Sequence, residues 1–82
     1  MLQKEGFEIL LASPFYHERL VAEIYFDGKF VATVIQDRGL GLFDLETSWN
    51  DRIESQVVRR VDLDGFMQAV QTAREALSQV SE

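Results

Sequence analysis

His17, the single histidine of this 82-residue chain, is the one side chain whose ordinary ionisation lies near neutral pH. An imidazole can act as a general acid or base, but only with a nucleophile or a polarising partner held beside it. His17 lies in Phe15-Tyr16-His17-Glu18-Arg19, and no serine stands in a GxSxG-like setting. The chain has no cysteine, so thiolate nucleophiles, thiolate metal sites and disulfides are excluded together. His17 is therefore expected to be a surface or capping residue. An active site would need a dimer that sets His17 beside Glu18 or Glu23 of both copies. The expectation is a non-catalytic protein without cofactor or metal.

The remaining chemistry-bearing spacings have simpler readings. Asp62 and Asp64, two apart, could be imagined as metal ligands, but residues two apart on a helix do not face each other, and helix capping explains both. Gly39-Leu40-Gly41 lacks the further glycines and the lysine of a phosphate-cradling loop and reads as a turn. Arg59-Arg60 is the one basic pair, and acids at Glu54, Asp62 and Asp64 are near enough in sequence to neutralise it.

Fourteen acidic residues against eight basic ones leave a formal charge of −6. That balance disfavours a nucleic-acid backbone or an anionic membrane surface as partner and suits a basic or neutral one. Mimicry of DNA would need a dense acidic array, whereas the acids are scattered from Glu8 to Glu54. No run of about 18 apolar residues is present to cross a membrane. Glu5 and Glu8 flank or interrupt the N-terminal apolar run, so a secretory signal is not expected and cytoplasmic placement is the default. The length suits a single domain, 1–82.

The elements that would position these residues follow from pattern. Gly6 to Ala12 is expected to be a first strand, closed by Ser13-Pro14. Leu20 to Phe26 and Lys29 to Asp37 are rich in β-branched and aromatic residues, and Asp27-Gly28 between them favours a tight hairpin turn. Leu40 to Ser48 alternates as a half-exposed strand, and Val57 to Val61 is a candidate fifth strand. Leu63, Phe66, Met67, Val70, Ala73, Leu77 and Val80 recur at helical spacing after the Asp62 cap. The fold class is α+β: a two-layer antiparallel meander of four to five strands packed against one C-terminal helix.

A two-residue turn at Asp27-Gly28 would pair Phe26 with Lys29, Ile24 with Val31, Ala22 with Thr33 and Leu20 with Ile35 on one face. Tyr25 with Phe30, Glu23 with Ala32 and Val21 with Val34 would lie on the other. Both faces are then largely apolar, yet one helix covers only one. A covering loop would close the second face. Left open, it would be an interaction surface, and a one-residue bulge would exchange the faces.

The second-face reading names Val21, Glu23, Tyr25, Phe30 and Val34, with Trp49, as a protein interface, and Glu23, Asp27, Asp44 or Glu46 as its acidic rim. In size, acidity and lack of catalytic groups the chain is similar to small immunity proteins, antitoxins and phage inhibitors. The expected function is thus capture of another protein, such as a basic enzyme or toxin. The alternative is a homodimeric accessory or scaffold protein that self-associates through the sheet.

Overall fold

A computed structural model describes residues 2–4, 6–15, 17–47, 58 and 60–80. Five antiparallel strands form one meander in chain order: β1 (Leu2–Lys4), β2 (Phe7–Ala12), β3 (Val21–Phe26), β4 (Lys29–Ile35) and β5 (Asp44–Glu46). One helix follows, α1 (Leu63–Gln79), and packs on one side of the sheet. This is the two-layer α+β arrangement expected from the sequence.

The β3–β4 hairpin turns at Asp27 (φ 54°) and Gly28 (φ 77°). Two consecutive left-handed residues make the turn whose twist matches paired strands, which is why an Asp-Gly pair stands there. Phe26 pairs with Lys29 and Tyr25 with Phe30, as the turn requires. β1 was not expected: Lys4 pairs with Phe7 across a second tight turn, where Gly6 sits at φ 87°, and the first predicted strand becomes the inner arm of a hairpin.

Beyond Tyr25–Phe30 the register shifts. Ile24 pairs with Ala32 in place of Val31, Glu23 with Thr33 in place of Ala32, and Ala22 with Val34 in place of Thr33. Val31 is the extra residue of a β-bulge, and every side chain of β4 after it changes face relative to the unbroken alternation. Val34 therefore belongs to the helix side, away from Val21.

The core is built from Phe7, Ile9, Ala22, Ile24 and Val34 of the sheet against Ala69, Ala73 and Leu77 of the helix. Its helical contribution is narrower than the predicted stripe. Ala69, Ala73 and Ala76 are buried with Leu77, whereas Leu63, Met67 and Val80 are exposed. Small side chains let the helix lie close to the strands, and Gly65 marks a close approach: a Cβ there would stand 3.1 Å from the Phe7 ring. The Asp62 carboxylate caps the helix, accepting the Gly65 amide at 2.7 Å, and Asp64 adds favourable charge in the first turn.

The predicted strand from Leu40 to Ser48 is shortened to β5, because two successive turns occupy its start: Gly39 donates to the Gln36 carbonyl and Leu42 to that of Gly39. Ser48 lies outside the described residues. Of Val57 to Val61, Val57 and Arg59 also lie outside them, and Val58, Arg60 and Val61 carry no strand ladder. Val58 does donate its amide to the Phe30 carbonyl at 2.9 Å, so the chain returns to the edge of β4 that β5 leaves.

Candidate interaction surface

The six residues predicted as an interface separate into different surroundings. Val21 and Phe30 are 1% and 2% exposed, so they are interior residues of the sheet's second face. Val34, 2% exposed, lies on the helix side in the main core. Glu23 and Tyr25 remain half-buried on the second face, with the Tyr25 hydroxyl donating to Glu23 Oε1 at 2.9 Å and its ring edge-on to Phe30 at 5.9 Å. Trp49 lies outside the described residues. The reachable part of that face is thus Tyr25 and Glu23, with Leu10 opposite Glu23 and Glu8 opposite Tyr25.

The connection from β2 to β3 leads directly into Val21. Its turn is held by the His17 amide, which donates to the Pro14 carbonyl at 3.1 Å. From there the His17 side chain reaches Asp37 Oδ2 at 2.6 Å through Nδ1 and Glu46 Oε1 at 3.3 Å through Nε2. Glu46 is in register with Thr33, on the face opposite the core, so a connection between adjacent strands reaches two strands further, to β5. The imidazole is 6% exposed. Burial alone would lower its pKa, but hydrogen bonds and charge from Asp37, then from Glu46, outweigh that and raise it above the usual 6.5.

Among the described residues no group of three or more His, Cys, Asp or Glu is placed to hold a metal ion, and no helix is long and apolar enough to cross a membrane. The Arg38 side chain pairs with Asp44 at 2.8 Å, and so fixes the turn that leads into β5.

A second surface was not anticipated. α1 lies over β1 to β3, touches β4 and does not reach β5. Between the helix and β5 runs a groove of about 280 Å³, lined by Val34, Phe43, Leu45, Val70 and Arg74 among others. Arg74 lies over the Phe43 ring, 5.4 Å from its centroid. Asp44 and Arg74 add charge to an otherwise largely apolar lining. Leu45 in the groove is 49% exposed, and outside its lining Leu42, Leu63 and Met67 are 50%, 67% and 59% exposed. Leu63, Met67 and Val70 share one flank of the helix by their spacing of four and three. The signal was present in the sequence as a helical apolar stripe wider than one packing face needs.

No protein-family model matches the chain, and neither curated proteins nor solved structures yield a match.

Proposed function

We propose that this chain is a small acidic, non-catalytic protein-binding domain of the inhibitor, immunity or antitoxin kind, and that it engages its target through the groove between α1 and β5. The observation that carries this reading is the groove lined by Phe43, Leu45 and Val70, with Leu63 and Met67 exposed on the helix flank that bears Val70. Apolar side chains grouped at a concave surface are where partners gain most from excluding water. The sheet face first expected to do this is closed at Val21 and Phe30.

Charge supports a basic target. Asp44 and Glu46 stand on β5, but Arg38 and Arg74 lie close by, so the steering field comes from the net charge of −6 more than from the groove itself. The same charge disfavours a second copy as occupant. The lack of cysteine agrees with a reducing compartment such as the cytoplasm.

The test begins with the mass of the purified chain by light scattering, then isolates the partner from the native source and reconstitutes the complex from purified components. Leu45→Lys and Met67→Lys are expected to weaken the complex at least tenfold while leaving the melting curve unchanged. A stable dimer dispersed by those substitutions would replace this reading with the homodimeric one. A complex indifferent to both would place the interface elsewhere.

A further inference from the structure

The ring of His17 is held between two carboxylates that are distant in sequence, and the chain carrying it passes from β2 to β3 on the side of the sheet that the helix leaves bare. We infer that residues 13–15 and 17–20 form a strap latched by His17 to Asp37 and Glu46, and that proton loss from His17 releases it and opens the second sheet face around Val21 and Thr33.

The argument rests on donors and acceptors. A carboxylate only accepts, so an imidazole between two of them is fully satisfied when both of its nitrogens carry protons. Nδ1–H then donates to Asp37 Oδ2 and Nε2–H to Glu46 Oε1, at 2.6 and 3.3 Å. The neutral ring has one N–H. Its other nitrogen turns a lone pair toward a carboxylate, so one charge-assisted bond becomes a repulsive contact. The His17 side chain is 6% exposed, whereas Asp37 and Glu46 are 35% and 49% exposed, so water can take the place of the ring at the carboxylates once it is released.

The charged surroundings act in the same direction. Asp37 comes from the turn after β4 and Glu46 from β5, and both face the ring. Asp44 of β5 is neutralised by Arg38. Glu23 of β3 is on the same sheet face but accepts from Tyr25. The strap itself contributes one acid and one base, Glu18 and Arg19. No cation from these elements bonds to Asp37 or Glu46 in place of His17 among the described residues.

Val21, which follows the strap, is 1% exposed and Thr33, in register with Glu46, is 8% exposed, while Phe15 on the strap is 98% exposed. The raised pKa of His17 fixes the sign: the latch is complete below the ordinary histidine value near 6.5 and is lost as pH rises through the higher folded value.

The experiment is nuclear magnetic resonance on the intact chain. The His17 ring carbons report its titration, and amide hydrogen exchange, corrected for the intrinsic effect of pH, reports the opening of residues 17–20, Val21 and Thr33. Protection of these amides should fall across the His17 titration, by about tenfold for each unit separating the latched from the released pKa, while α1 stays protected. Glu46→Gln should lower the pKa of His17 and move the loss of protection with it. Protection that is unchanged across the wild-type titration overturns the latch, with no variant required. A loss of protection that does not follow the pKa in Glu46→Gln overturns the role of His17.

Discussion

Replacing Gly65 with alanine sets two effects of known sign against each other. Gly65 sits in the first turn of α1, where alanine would gain about 1 kcal/mol of helix propensity. The added Cβ, however, would stand 3.1 Å from Phe7 Cε2 and 3.2 Å from Asp62 Oδ2, several tenths of an ångström inside the ~3.5 Å at which carbon contacts become favourable. Neither neighbour is free to yield. Phe7 is 1% exposed and wedged against Phe26 at 4.9 Å and Phe66 at 6.4 Å, and the Asp62 carboxylate is committed to the Gly65 amide. Overpacking of a tight core costs about 1–3 kcal/mol, and displacement of the cap costs about 1 kcal/mol more. The sum is a net destabilisation of about 1–3 kcal/mol, a fall in melting temperature of ~4–8 °C per kcal/mol for a domain of this size. Thermal and urea denaturation of Gly65→Ala beside Gln68→Ala, an exposed helix position that reports propensity alone, would measure it. If Gly65→Ala melts at or above the parent temperature, the helix does not approach the sheet as closely as Gly65 implies.

The other substitutions test single contacts. Asp62→Ala should cost about 1 kcal/mol in urea unfolding, and Asp62→Asn, which keeps the capping oxygen, much less. Phe30→Ala should cost about 3–5 kcal/mol, because the ring is 2% exposed; a circular dichroism melt unchanged by it would show the second face to be open after all. Tyr25→Phe removes the hydroxyl bond to Glu23 and should cost about 1 kcal/mol in the same melt. The contrast distinguishes the interior residue from its half-buried neighbour.

The hairpin at Asp27-Gly28, the pairs next to it and the Asp62 cap were legible because each depends on residues within five positions of one another. The bulge was not. Phe30, Val31, Ala32 and Val34 are all compatible with burial, so an extra residue leaves no break in the pattern, and Val34 was placed on the wrong face. The short β1 carries no β-branched residue, and its turn contains the only clue, Gly6. The partners of His17 are 20 and 29 residues away in sequence, so nothing near it marks it as more than a loop histidine. Its burial follows from the meander, which brings Asp37 and Glu46 to one edge.

The surplus of apolar side chains that suggested an open sheet face has another origin in the geometry of the layers. Five strands spaced about 4.8 Å apart put ~19 Å between the outermost two, whereas one helix with its side chains is about 10–12 Å across. A single helix therefore covers two to three strands well, and here it lies over β1 to β3. The bulge sends Ala32 and Val34 of β4 toward the helical layer, beyond the width that layer covers fully. Phe43, Leu45 and Val70 fill part of the remaining step, and the groove is what is left. A second helix would fill it in a larger domain. Among the described residues α1 is the one helix, and its flank bearing Leu63 and Met67 is the apolar surface that the proposed target would cover.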